Sequence, residues 1–162
     1  MKKFLTLFFL TSAISSSSYA ASFIVTGADS TARDLFTAET GVINSSGNLN
    51  VDSGDAITIT TGTSVSVTNN GILSTTATAV GSDGILEGGA SDSTIITNNG
   101  TITTNADTSS GINSAGGTVT ITSNGNIATN GATSFGIVSS GVSATIANNG
   151  SIVTTKDDST AI

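Results

Sequence analysis

The chain has 162 residues, with 19 glycines, no proline, no cysteine, no histidine and a formal net charge of −7. Without histidine there is no Ser-His-Asp triad and no imidazole metal site, and without cysteine no disulfide framework and no thiolate centre. The acidic balance excludes nucleic acid, which clustered Lys and Arg bind by displacing counterions, and also electrostatic attachment to anionic lipid.

Residues 1–20 read as a secretory signal peptide. Lys2 and Lys3 open it, Phe4 to Ile14 is apolar, and Ser18-Tyr19-Ala20 offers small residues at a cleavage point after Ala20. The apolar run is too short for a membrane anchor: as a helix it spans about 16 Å against a hydrocarbon core of about 30 Å. No transmembrane helix is expected after cleavage. Cleavage removes two of the four basic residues and leaves Arg33 and Lys156 against 11 acidic residues, a net charge of −9.

Residues 21–40 do not follow the pattern of what comes after and are expected to form an N-terminal cap. Within them Phe23-Ile24-Val25 suits a first strand, and Arg33 is expected in a surface ion pair with Asp34 or Glu39. From residue 41 the chain is repetitive. Residues 41–70 read as a degenerate first coil, with Gly41-Val42-Ile43 resembling the Gly-x-Ile step of the later repeats and Gly54-Asp55-Ala56-Ile57 the start of their third segment.

The later repeats are phased by glycines at 71, 100, 125 and 150, which are 29, 25 and 25 residues apart. A fixed period of this size marks a solenoid. Four residues before each glycine stand Val67, Ile96, Ile121 and Ile146; two after it stand Leu73, Ile102, Ile127 and Ile152. A third block opens with Gly84-Ile85, Gly111-Ile112, Gly136-Ile137 and Ala161-Ile162. Alternation such as Thr118-Val119-Thr120-Ile121-Thr122 is that of a half-buried strand, and branched Thr, Val and Ile suit a pleated surface.

The expected fold is therefore all-β: a parallel β-helix of about 25 residues per coil, three short strands per coil, over residues 41–162. Asn-Gly is expected to turn the corner through φ > 0. The first asparagine of each pair (Asn69, Asn98, Asn148) is expected to bond free backbone groups there, with an amide ladder as a second role. The surplus of the coil from Gly71 is placed around Ala77–Asp83 and Leu86–Ser93. The last coil stops in mid-repeat, so continuation into further coils, or end-to-end self-association, is expected.

A secretory signal followed by Val-x-Ile-x-Asn-Asn-Gly-x-Ile-type repeats resembles the passenger region of bacterial autotransporters. The matching runs are Val65 to Leu73, Thr94 to Ile102, Val119 to Ile127 and Ala144 to Ile152. The resemblance implies a right-handed β-helix displayed outside a Gram-negative cell, at its surface or outer membrane. The partners it implies are host or matrix surface molecules, and the role is adhesion or display. The C-terminal translocator barrel of that family is not in this sequence, so the chain is expected to be an N-terminal fragment. The alternative is a secreted β-helix that binds or cleaves polysaccharide.

No catalytic, cofactor or metal site is expected, and no enzymatic activity. The acids occupy no repeated position by sequence phase, so no carboxylate ladder is expected. Asp83, Glu87 and Asp92 are the strongest candidates for a sugar-cleaving pair, because they share the extended connections. A calcium loop at Gly88-Gly89-Ala90-Ser91-Asp92 is only a weak echo of the nonapeptide pattern. Thr-x-Thr units invite comparison with ice-binding arrays, but the slots after each glycine (Ile72/Ser74, Thr101/Thr103, Asn126/Ala128, Ser151/Val153) make no continuous array.

Overall fold

A computed structural model describes residues 22–60, 63–76, 78–89 and 93–162. The signal peptide expected at 1–20, and Asp92, lie outside the described residues. The described chain is an all-β parallel solenoid with about 25 residues per turn and no helix.

Among the described residues, seventeen strands follow one another around the coil. They are β1 (Phe23–Val25), β2 (Ala28–Asp29), β3 (Arg33–Leu35), β4 (Thr40–Ile43), β5 (Asn48–Val51), β6 (Ile57–Ile59), β7 (Thr63–Asn69), β8 (Ile72–Thr75), β9 (Ile85–Glu87), β10 (Ser93–Asn98), β11 (Thr101–Thr104), β12 (Ile112–Ser114), β13 (Thr118–Ser123), β14 (Asn126–Thr129), β15 (Ile137–Ser139), β16 (Ser143–Asn148) and β17 (Ser151–Thr154). Every third strand pairs in parallel. The first sheet runs β1-β4-β7-β10-β13-β16, the second β2-β5-β8-β11-β14-β17, and the third β3-β6-β9-β12-β15.

Parallel pairing in register turns the sequence period into stacked columns. Val67, Ile96, Ile121 and Ile146 stand directly over one another, as do Leu73, Ile102, Ile127 and Ile152, and Ile85, Ile112 and Ile137. Ile96, Ile102, Ile112 and Ile121 are completely buried. One coil is too thin to bury these side chains alone, so the neighbours above and below supply the apolar contact. Burying each is worth about 1.5–3 kcal/mol relative to leaving it exposed.

Of residues 21–40, expected to cap the solenoid, 22–36 contribute one strand to each sheet and so form a short first coil. Its inward register positions carry a lid. Phe23 lies over Gly41, whose missing side chain leaves room for the ring. Asp29 pairs with Leu49 and Arg33 with Ile57. Arg33 forms its ion pair with Asp29, not with Asp34 or Glu39, and its guanidinium lies 5.5 Å from the Phe23 ring centroid. Glu39 instead accepts the Phe36 N–H at 2.7 Å. An aromatic ring and a charge pair thus close the end of the apolar columns.

The first coils depart from the expected phase in one respect. Gly41-Val42-Ile43 is not the Gly-x-Ile step that follows a corner; it belongs to the first sheet, before the corner, paired with Val67-Thr68-Asn69. The corner of that coil is Asn44 to Gly47, and Asn48 pairs with Ile72. Ile57 does open a third-sheet strand, paired with Ile85. The extra residues of the next coil fall between β8 and β9 and between β9 and β10, as expected. Ser64, at φ 62°, is the extra residue of a bulge where β7 meets β10.

Candidate functional site

The corner after the first sheet is built from asparagine. Asn69 and Asn98 are fully buried. Asn69 Oδ1 accepts the Gly71 N–H at 3.1 Å, and its Nδ2 donates to Asn98 Oδ1 at 2.9 Å. Asn98 Nδ2 in turn donates to Ser123 Oγ at 3.3 Å and to the Asn126 carbonyl at 3.3 Å. Both expected roles of the first asparagine, bonding the turn and bonding its counterpart, are therefore present. The second asparagine forms a more regular ladder that its sequence position did not suggest: Asn99 to Asn70 at 2.9 Å, Asn124 to Asn99 at 2.8 Å, and Asn149 to Asn124 at 2.9 Å, Nδ2 donating to Oδ1 each time.

Positive φ occurs at a different corner. Gly54 (73°), Gly81 (80°), Thr108 (54°), Thr133 (51°) and Asp158 (57°) turn the chain between the second and third sheets; none of the Asn-Gly glycines does. The corner glycines are required for another reason, close approach of one coil to the next. A Cβ on Gly100, Gly125 or Gly150 would lie 2.0, 2.0 or 1.9 Å from a carbonyl oxygen of the coil before it. Beside the positive-φ corner runs a serine ladder, in which Ser109 Oγ accepts from the Ser82 N–H at 2.8 Å and Ser134 Oγ from the Ser109 N–H at 3.2 Å.

The acids kept as candidates sit inside this framework. Glu87 is 1% exposed; its carboxylate accepts from Ser114 Oγ at 2.6 Å and the Gly116 N–H at 2.8 Å. Asp83 is 3% exposed and accepts from the Ser110 N–H and from Asn113 Nδ2 at 2.8 Å. Each carboxylate reaches from its own coil to the next and satisfies buried donors there. Contrary to expectation, two acids do share a repeated position. The Ile57–Ile85 register puts Asp55 opposite Asp83, and Asp55 Oδ1 accepts the Asp83 N–H at 2.7 Å. Burial raises the pKa of both carboxyls, and the charge of Asp55 raises that of Asp83 further, against the hydrogen bonds from Ser110 and Asn113.

An open groove lies on the outside of the second sheet near its start, lined by Ala28, Asp29, Ser30, Asn48, Asn50 and Asp52. The Thr31 N–H, and then Arg33, hold the Asp29 carboxyl below its ordinary value. Asn50 Oδ1 accepts from Ser74 Oγ at 3.0 Å and Asp52 Oδ1 from Thr76 Oγ1 at 2.9 Å. Neither Asp83 nor Glu87 lines this groove. Among the described residues no group of three His, Cys, Asp or Glu is placed to hold a metal ion, and no helix is long and apolar enough to cross a membrane. No protein-family model, curated protein or solved structure matches the chain.

Proposed function

We propose that the chain is a stiff, non-enzymatic rod displayed at or outside the surface of a Gram-negative cell. Its role is adhesion or display, as in the autotransporter passengers that its repeats resemble. One observation carries this. The candidate acids Asp83 and Glu87 are spent on hydrogen bonds between coils, while the outward positions of β10, β11 and β13 carry short uncharged side chains such as Thr97, Thr101, Thr103 and Thr120. Such a structure transmits length and presents faces; it does not aim a proton donor and a nucleophile at a bond.

The test is immunolabelling of intact Gram-negative cells producing the full chain with an epitope tag, followed by adhesion of those cells to matrix-coated wells. Labelling without permeabilisation together with adhesion supports the proposal. Labelling only after permeabilisation, or release of reducing sugar from polysaccharide by the purified protein, overturns it.

Carbohydrate binding is the second possibility, and the groove beside Asn48 and Asn50 favours it. Amides and carboxylates are the groups that sort sugar hydroxyls, and this groove holds both. Glycan-array binding that Asn48→Ala with Asn50→Ala abolishes, while the far-UV spectrum stays unchanged, would place the ligand there.

A further inference from the structure

Asn-Gly occurs five times, with asparagine at 70, 99, 124, 130 and 149. In this dipeptide the glycine nitrogen is unshielded by a side chain, and the backbone is free to bring it against the asparagine Cγ. Four of these asparagines, Asn70, Asn99, Asn124 and Asn149, form the exposed outer ladder. The ladder has a direction: each Nδ2 donates to the Oδ1 of the coil before it. Asn99 and Asn124 are consequently held at both amide atoms. Among the described residues, Asn70 is held only through Oδ1 and Asn149 only through Nδ2. The glycine N–H groups are unequally held too. Those of Gly100, Gly125 and Gly150 donate to the main-chain oxygens of Asn69, Asn98 and Ser123 at 3.0, 3.0 and 3.1 Å, and that of Gly150 also reaches Asn148 Oδ1 at 3.3 Å. Among the described residues the Gly71 N–H has only a side-chain acceptor, Asn69 Oδ1.

We propose that this column is a site of spontaneous deamidation whose order the ladder sets: Asn70 and Asn149 convert first, and Asn99 and Asn124 convert only once an adjoining rung has let go. In each event the glycine nitrogen, having lost its proton to solvent, attacks the asparagine Cγ. The new N–Cγ bond closes a succinimide, the Cγ–Nδ2 bond breaks, and the amide nitrogen leaves as ammonia with a proton from solvent. Solvent water then opens the ring to aspartate or isoaspartate. No other reactant is needed.

The direction of the ladder makes the consequences unequal. A carboxylate at 70 still accepts from Asn99 Nδ2, and the bond becomes charge-assisted. A carboxylate at 149 has lost its donor and faces Asn124 Oδ1, so that rung opens and Asn124 becomes half-held. Loss therefore travels from β16 toward β7. Two adjoining converted rungs would place carboxylates about 4.8 Å apart, the strand spacing, where they repel. The ladder that joins the coils also gives the rod a finite chemical lifetime.

The experiment ages the purified chain in mildly alkaline buffer and maps aspartate and isoaspartate at each position by mass spectrometry. The same chain in urea serves as the unheld reference. Asn70 and Asn149 should convert at least about fivefold faster than Asn99 and Asn124 in the folded chain, equivalent to about 1 kcal/mol of holding. The four rates should converge in urea. Asn124→Asp keeps an acceptor for Asn149, now charge-assisted, and removes the donor to Asn99, so it should speed Asn99 and not speed Asn149. Equal rates at all four positions in the folded chain would overturn the proposal, and so would an Asn99 rate indifferent to Asn124→Asp in a variant whose far-UV spectrum is unchanged.

Discussion

Gly100 sits so close over Gly71 that a Cβ on it would lie 2.0 Å from the Gly71 carbonyl oxygen. The obstacle is main chain, which cannot swing aside, so a side chain there must push two coils apart. Gly100→Ala should cost at least about 3 kcal/mol, at the upper end of overpacking effects. Gly27 has nothing within 4 Å and no positive φ, so Gly27→Ala should be neutral or stabilising by up to about 1 kcal/mol. Urea unfolding midpoints compare the two; similar midpoints would contradict the close-approach account. Gly131 belongs with the tight positions, because its Cβ would meet Ala106 O at 1.8 Å. Valine at 131 should therefore be as damaging as valine at 125, although Gly131 lies outside the Asn-Gly repeat.

Ile121 is fully buried between Ile96 and Ile146, while Thr120 beside it is exposed. Ile121→Ala should cost about 2–5 kcal/mol, because it leaves a void in a column that the stacked strands hold open. Thr120→Ala should stay within about 0.5 kcal/mol. The two variants differ by one position on one strand, so thermal unfolding of the pair tests the inside-outside assignment directly.

The threonines four after each corner glycine point inward, but their hydroxyls fare differently. Thr104 Oγ1 donates to the Ser109 carbonyl at 3.3 Å, whereas the buried Thr129 Oγ1 has no partner among the described residues. Valine keeps the shape and removes the hydroxyl. Thr129→Val should stabilise by about 1 kcal/mol, and Thr104→Val should destabilise by about the same amount. Differential scanning calorimetry of both variants decides it, and a loss of stability in Thr129→Val would show that its hydroxyl is satisfied in solution.

The apolar columns were legible because a constant period of 25 keeps each isoleucine at one phase, and parallel pairing converts phase into contact. What escaped was whatever broke the period. Asp55 and Asp83 are 28 residues apart, across coils of irregular length, so their shared position appears only once Ile57 is set against Ile85. The first coil has no Asn-Gly, and its inward positions hold Phe23, Asp29 and Arg33 in place of isoleucine. The corner with positive φ carries Thr108, Thr133 and Asp158, so no repeated glycine announced it. Asn-Gly announced a corner correctly, but the glycine serves close stacking and not φ.

The stacked carboxyls of Asp55 and Asp83 tie stability to pH. Both have pKa values raised by burial in the folded chain, above the unfolded value of about 3.9. A raised carboxyl binds more protons folded than unfolded across the interval between the two values. The stabilisation from this pair is therefore complete below the unfolded pKa and is lost as pH rises through the raised values. Among the described residues Asp55 accepts only the Asp83 N–H, which an asparagine Oδ1 can also accept. Asp55→Asn should thus keep the hydrogen bond, remove the repulsion, and raise the urea midpoint at neutral pH. It should change the midpoint little below the unfolded pKa, where both carboxyls are protonated in the parent. Unfolding curves at several pH values should show parent and variant converging toward acid and separating toward neutrality. A constant gap, or one that widens toward acid, would show that the pair is not charged and repelling at neutral pH.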